Sequence, residues 1–343
     1  MNADTNNVLV ILATGKMGTG IIDAFQGTNK YKIYGTSRDA NHPALISKGV
    51  IPVSFAYGDK LSIERALEIS TPKLLVVITA SQIAKTLEKE VVHGKIILDA
   101  AKAANVPHVI LTSTELADDA PTQRTIFAPT GADHLHAKKE LEEYIKGLGL
   151  PCYSILRSAS FFENFSDHSL KNPLFRGRLS DLYEGWVQVN HVSTLDVGKA
   201  ALAMVEEPEE WHAKTLSCIT SRDTGNELAE ILSKVSGLAI VYHAVPPRFL
   251  LWMLLPNLYC MVEHCTKTPG KTNWFREIIE FKDVVPDAMD FERWLLERQI
   301  TWADGTLIGS PSIRAKPMHQ VMKVIIGIVI FAVYYRTVMQ NKE

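Results

Sequence analysis

A doubly wound parallel α/β fold is what the sequence predicts, and three observations carry that expectation. Short uncharged runs, Val8-Leu9-Val10-Ile11-Leu12 and Leu74-Leu75-Val76-Val77-Ile78-Thr79-Ala80, read as strands buried on both faces. Stretches with helical spacing follow such runs, so strands and helices alternate through the first half of the chain. The first run also enters a glycine turn, Ala13 to Gly18, and then Ile21-Ile22-Asp23-Ala24-Phe25. Strand, glycine turn and helix in that order open a dinucleotide-binding unit, because turn N–H groups and a helix N-terminus together can cradle a pyrophosphate.

The turn is an incomplete fingerprint. Gly15 lacks a Cβ where the backbone must approach phosphates, and Gly18 lets the helix pack close to the strand. The G-x-x-G-x-x-G spacing puts its first glycine at position 12, where this chain has Leu12. Glycine turns also join strands to helices for purely structural reasons, so the motif alone leaves both readings open.

The next strand, Tyr31-Lys32-Ile33-Tyr34-Gly35-Thr36-Ser37, ends at Arg38. An acidic residue near that end selects NAD through the ribose 2′-hydroxyl, whereas a basic one can accept the 2′-phosphate of NADP. Arg38 is therefore the candidate discriminator, with a solvated loop arginine as the alternative. Val50 to Phe55 reads as a third strand and Leu61 to Leu67 as a helix. A long helix is expected over about Glu88 to Ala104, then the strand Val109-Ile110-Leu111-Thr112-Ser113. Ligands of such sheets bind beyond the carboxyl ends of the strands, which predicts one crevice lined by Thr14, Arg38, Thr79, Ala80, Thr112 and Ser113.

Farther on, Lys138, Leu141 and Ile145 share one helical face, so a helix is expected from about position 134. The strand Cys152 to Arg157 follows, then Ser158-Ala159-Ser160-Phe161-Phe162-Glu163-Asn164-Phe165. Trp186 to Val192 reads as a strand and Leu195 to Val205 as a helix, with Asp196 expected to satisfy backbone donors at its start. The apolar segment from Pro246 to Leu255 fits either a bulky apolar substrate or core packing. The expected domains are 1–157 for the nucleotide, 158–308 as a smaller substrate lobe with strands from 186–205 returning to the sheet, and 309–343 as linker and apolar helix.

Composition sets bounds. The 343 residues suffice for a large core, and a net charge of −2 without a basic run gives no footprint for direct nucleic-acid binding. Four scattered cysteines with no C-x-x-C suggest reduced thiols in a cytoplasmic protein. Cys260, His264 and Cys265 lack a nearby fourth ligand, so no metal is expected. The polar Met1 to Asn7 stretch is no signal peptide. Near the other end, 321–339 is apolar if Lys323 snorkels, and would span roughly 28 Å, close to a bilayer core. Tyr334 and Tyr335 beside Arg336 suit an interfacial belt. A membrane tether is one reading of this tail, and a helix docked on protein is the other.

These stretches together resemble the NmrA-like family of atypical short-chain dehydrogenases. The family's A-T-G-x-x-G turn is similar to Ala13 to Gly18, and its strand-end arginine to Arg38. Its lysine before an acidic helix matches Lys138, and its arginine strand and F-x-E-N segment match Arg157 and Phe161 to Asn164. A late tryptophan helix resembles Phe291-Glu292-Arg293-Trp294-Leu295. The departures are Leu12 and Ala56, the latter standing where the family usually has an adenine-side aspartate.

What the resemblance implies is NADP(H) bound in a Rossmann domain with a smaller second lobe. The implied cofactor contacts are Leu12, Ala13, Thr14, Gly15, Lys16, Met17, Gly18, Arg38, Thr79, Ala80, Ser81, Lys138, Phe161, Phe162 and Asn164. Phe161 and Phe162 either cover the nicotinamide or belong to the core. Ordinary short-chain dehydrogenases place Tyr-x-x-x-Lys on one helix face, the tyrosine passing the proton. Here the spacing gives His134-x-x-x-Lys138, leaving Lys138 as the candidate acid or base and His134 as a weaker one. Two functions follow: an NADPH-dependent reductase of a small carbonyl or activated alkene, or a catalytically silent NADP(H) sensor acting on a protein partner.

Overall fold

The computed structural model describes residues 6–80, 87–118, 133–166, 177–244, 248–254, 256–267, 274–302 and 306–308. Its elements begin with β1 (Asn7–Val10), α1 (Lys16–Gln26), β2 (Lys32–Ser37), α2 (Pro43–Ile46), β3 (Ile51–Ser54), α3 (Lys60–Ser70) and β4 (Leu74–Val77). Then come α4 (Leu87–Ala103), β5 (His108–Thr114), α5 (Asp133–Gly147), β6 (Tyr153–Ser158), β7 (Ser160–Phe161) and a 3-10 turn at Phe162–Asn164. The remainder is β8 (Arg178–Asp181), β9 (Gln188–Val192), α6 (Thr194–Glu206), α7 (Pro208–Trp211), β10 (Thr215–Cys218), β11 (Ser221–Thr224), α8 (Gly225–Ser236) and β12 (Val241–Ala244). Four helices complete it: α9 (Arg248–Leu254), α10 (Pro256–Lys267), α11 (Trp274–Val284) and α12 (Phe291–Glu297).

Seven strands form one parallel sheet in the order β10-β6-β5-β4-β1-β2-β3. This is the doubly wound arrangement that the alternation predicted. The order reverses between β1 and β4, which opens a crevice at their carboxyl ends. Both faces of β1 and β4 are covered, and all eight of their residues are buried. One apolar layer joins α1, α6 and α11 to the sheet; the other joins α3, α4 and α5 to its opposite face.

The strand that returns to the sheet is β10, not the segment expected from 186–205. Within that range β9 instead pairs with β7 and β11 in a separate three-stranded sheet. A third cluster, built on Phe162, Phe165, Phe291 and Trp294, forms the core beneath it. Asp196 also differs from expectation. Ser193 caps α6 by accepting from the Leu195 N–H, while buried Asp196 accepts from the Met289 N–H at 2.8 Å. It joins the helix start to the segment before α12 rather than capping its own helix.

Helices α1 and α6 cross in backbone contact. A Cβ on Gly20 would lie 2.4 Å from the Thr194 carbonyl, and one on Gly198 would lie 2.5 Å from the Gly20 oxygen. Among the described residues no helix is long and apolar enough to cross a membrane. The apolar tail 321–339 lies outside the described residues, as does Ser81.

Candidate functional site

The turn after β1 shows what Leu12 does in place of glycine. Its φ is +52°, in the left-handed region that favours glycine. The strain is held from two sides: the Leu12 N–H donates to Thr36 Oγ1 at 2.9 Å, and its carbonyl accepts from the Gly15 N–H at 3.0 Å. Gly18 is required by space, because a Cβ there would sit 2.6 Å from the Leu12 oxygen and 2.7 Å from Ala13 Cα. Ala13 and Met17 are buried beneath the turn, while Thr14 and Gly15 are exposed.

Gly15 is the N-cap of α1 and contributes no side-chain acceptor, and the first turn of the helix contains no acid. The leading N–H groups of a helix have no intrahelical partners, so this end is open to an anion. Lys16 reaches over it and donates to Asn164 Oδ1 at 3.0 Å. Two residues that the sequence assigned to one site, 148 positions apart, therefore meet.

Arg38 is exposed at the end of β2, and its guanidinium has no hydrogen-bond or ion-pair partner among the described residues. Ala80 is half-buried and its N–H donates to the Tyr57 hydroxyl at 3.4 Å. Burial raises the Tyr57 pKa well above the usual phenol range. Ala56 is exposed, with its N–H on Ser62 Oγ. Nothing acidic therefore replaces the aspartate at that position.

Lys138 is enclosed rather than open to the crevice, at 5% exposure. Its ammonium lies 2.9 Å from the Thr79 carbonyl, 2.7 Å from Thr79 Oγ1 and 3.1 Å from Glu90 Oε1. An ammonium has three protons, and these three acceptors use them all. Burial lowers the lysine pKa, and the Glu90 carboxylate, itself fully buried, opposes the shift. Thr79 is committed as well, donating to Glu90 Oε1 at 2.9 Å. In this arrangement Lys138 ties α5 to the end of β4 and to α4. His134 lies on α5, but its side chain is outside the described residues.

The crevice expected to include Thr79, Thr112 and Ser113 loses those side chains to the interior. Thr112 Oγ1 donates to the Val77 carbonyl, and Ser113 Oγ to Glu142 Oε1 at 2.6 Å. Glu142 also takes two bonds from Arg157. All three threonine and serine side chains are thus structural, because buried hydroxyls must find acceptors.

The segment after β6 divides its work. Phe162 is fully buried against Phe291 and Trp294 and stacks on His191, so it belongs to the core. Phe161 is half-buried and packs toward the sheet. Glu163 accepts from the Ser193 hydroxyl, the Thr194 N–H and the Trp294 indole. Asn164 alone faces the glycine turn.

The sequence reading passed over Glu115. It directly follows β5, its N–H donates to the Ser158 carbonyl, and Oε2 accepts from Asn190 Nδ2 at 2.7 Å. Asn190 Oδ1 in turn accepts from Arg222 Nη1 at 3.2 Å. Burial pushes the Glu115 carboxyl up to about 7; the Asn190 bond lowers it, Glu277 raises it and Arg222 lowers it. The available signal was its place: a carboxylate one residue beyond a predicted central strand stands where ligands of such sheets bind.

A parallel sheet of order 3-2-1-4-5-6, with an open glycine turn at its switch point, defines a Rossmann-type protein of the dinucleotide-binding class. The chain belongs to the NmrA-like family, whose sequence pattern matches residues 4–295. The solved structures it resembles include NmrA, a negative transcriptional regulator, in complex with NADP. That likeness has 18% identity and a TM-score of 0.65, covering 85% of this chain and 94% of that one. Triphenylmethane reductase from Citrobacter sp., complexed with NADP(H), shares 20% identity at a TM-score of 0.64, with 83% of this chain and 98% of that one covered. An NADPH-dependent quinone oxidoreductase from Escherichia coli, complexed with NADPH, shares 21% at 0.63, covering 83% and 97%.

Proposed function

We propose that this chain binds NADP(H) at the carboxyl end of its parallel sheet and reduces a small organic acceptor, a carbonyl or an activated alkene. The observation that carries the reading is the pairing of an uncapped, acid-free α1 N-terminus with an exposed Arg38 at the end of β2 that has no partner among the described residues. The first suits a pyrophosphate and the second a ribose 2′-phosphate. The cradle also fits in shape, since any side chain at Gly15 would stand over the helix end. The names of the solved relatives support the same cofactor and the same kind of chemistry.

In this reading Gly15 to Gly18 hold the phosphates through backbone N–H groups, and Lys16 adds a cation at their edge. Arg38 selects the phosphorylated ribose. Phe161 and Asn164 face the nucleotide from the second half of the chain, where the acceptor also binds. A bound reduced nicotinamide supplies a hydride. Lys138 maintains the floor of the site by fixing the Thr79 peptide.

A second reading draws on Lys138 itself. The residue expected to move a proton is buried and ion-paired to Glu90, which favours an NADP(H)-responsive regulator that acts through protein contacts. The two separate by experiment. Fluorescence titration of the full chain with NADPH is expected to saturate, and NADPH oxidation is expected with at least one member of a quinone and aldehyde panel. Saturation without oxidation would favour the regulator; no saturation would defeat both.

A further inference from the structure

Resting on the reductase reading, we infer that Glu115 is the residue that delivers the proton to the reduced substrate, and that the substrate class is one whose hydride adduct is an oxyanion: a quinone or other carbonyl. A hydride acceptor that is already a cation needs no proton after transfer. A carbonyl does, because the displaced π pair lands on oxygen. The site must therefore hold an acid within reach of that oxygen, and Lys138 is buried in its ion pair with Glu90.

Glu115 meets the geometric requirement. It leaves β5, the strand beside β4, at the carboxyl end where the sheet receives ligands. Its partner Asn190 precedes His191, and His191 pairs with Ser160 in the β7–β9 register. The Glu115–Asn190 bond thus lies one residue from the ladder that carries Ser160 and Phe161, the residues that lead into the 3-10 turn. One carboxyl oxygen, Oε2, is pinned at 2.7 Å. The other, Oε1, has no partner among the described residues, and the residue is half-buried.

The surroundings suit an acid rather than a fixed ion pair. The nearest hydrogen-bond donor is a neutral amide, and Arg222 binds the far side of that amide instead of the carboxylate. Glu277 from α11 adds a negative charge, and Tyr183, hydrogen-bonded to Cys265 of α10, also senses the Glu115 charge. A carboxyl titrating near neutrality can donate at working pH and recover its proton from water.

The step balances as follows. The substrate carbon gains a hydride and its C=O π pair moves to oxygen. That oxygen takes the proton from Glu115 Oε1, leaving an alcohol and a carboxylate, and solvent reprotonates the carboxylate.

The experiment compares the full-length chain with Glu115→Gln, which keeps the Asn190 bond and removes the exchangeable proton. Three measurements are made: NADPH affinity, the infrared titration of the carboxyl that disappears in E115Q, and turnover of menadione beside a cationic triphenylmethane dye. Expected are equal NADPH affinities, a carboxyl titrating within a unit of 7, and a menadione rate at least 100-fold lower in E115Q, a larger loss than with the dye. A carboxyl titrating below 5.5, menadione turnover by E115Q within threefold of the parent, or NADPH binding with no carbonyl turnover in the parent would each overturn the assignment. Loss of NADPH binding by the parent chain would instead remove the reductase reading on which it rests.

Discussion

Lys16 Nζ and Asn164 Oδ1 lie 3.0 Å apart, closing a bridge between the first residue of α1 and the 3-10 turn after β7. A phosphate entering that end must compete with Asn164 for the same ammonium. Asn164→Ala removes one of the contacts that hold Lys16. NADPH association, followed by stopped-flow fluorescence, should then accelerate several-fold while dissociation changes less. An unchanged association rate would show that the bridge is no barrier.

Arg38 is the residue on which the choice of nucleotide should turn. Arg38→Ala removes one charge-assisted contact to the 2′-phosphate and should weaken NADPH binding about tenfold. NADH affinity should stay where it was. Parallel calorimetric titrations with the two nucleotides measure the ratio, and equal losses for both would retire the assignment.

Leu12 carries two opposed contributions. A non-glycine residue at φ +52° costs about 1–2 kcal/mol, whereas burying part of a leucine side chain between the two apolar layers returns about the same. Leu12→Gly should therefore leave unfolding free energy within about 1 kcal/mol of the parent. A tighter turn should raise nucleotide affinity. Urea melts and NADPH titrations check the two halves separately.

The Lys138–Glu90 pair should behave as a buried ion pair. Lys138→Met leaves a fully buried carboxylate uncompensated and should destabilise the chain by about 3–5 kcal/mol. Adding Glu90→Gln should recover much of that loss. Any fall in activity of the single variant is then read against its folded fraction, and an additive double variant would show that the two residues are not coupled.

Glu115 gives stability a defined pH dependence. Its carboxyl is raised from an ordinary value of 4.5 to about 7 in the folded chain. The unfolded state therefore loses its proton first. The stabilising contribution is complete below pH 4.5, declines as pH rises, and is gone above about 7. Melting temperatures of parent and E115Q should diverge across that window, with the parent losing ground as pH increases. Parallel curves would place the carboxyl back in the ordinary range.

The sheet was legible because its strands are short uncharged runs separated by helical spacing, and the NmrA-like pattern was legible because its motifs recur at linked positions. Leu12 could be seen as a misfit, since a glycine fingerprint states which position needs left-handed backbone. The burial of Lys138 could not be read. Its environment depends on Glu90, which arrives from a different helix and carries no motif. Phe162 and Asp196 show the same limit: an aromatic pair after a strand and an acid near a helix start fit two roles each, and only tertiary packing chooses. Glu115 was missed for a simpler reason. It stands two positions past Ser113, the end of the predicted strand, and belongs to none of the motifs above.

Glu163 and Asn164 are neighbours with opposite obligations. The first is bolted at three points, to Ser193, Thr194 and Trp294, so the peptide carrying the second cannot travel. The bridge opens when either the Asn164 or the Lys16 side chain swings about its own torsions. Admission at this doorway is thus the work of side-chain rotamers, a matter of picoseconds to nanoseconds in exposed side chains. The latch is far quicker than any hinge, and it should never limit the pace at which nucleotide comes and goes by more than its own bond strength.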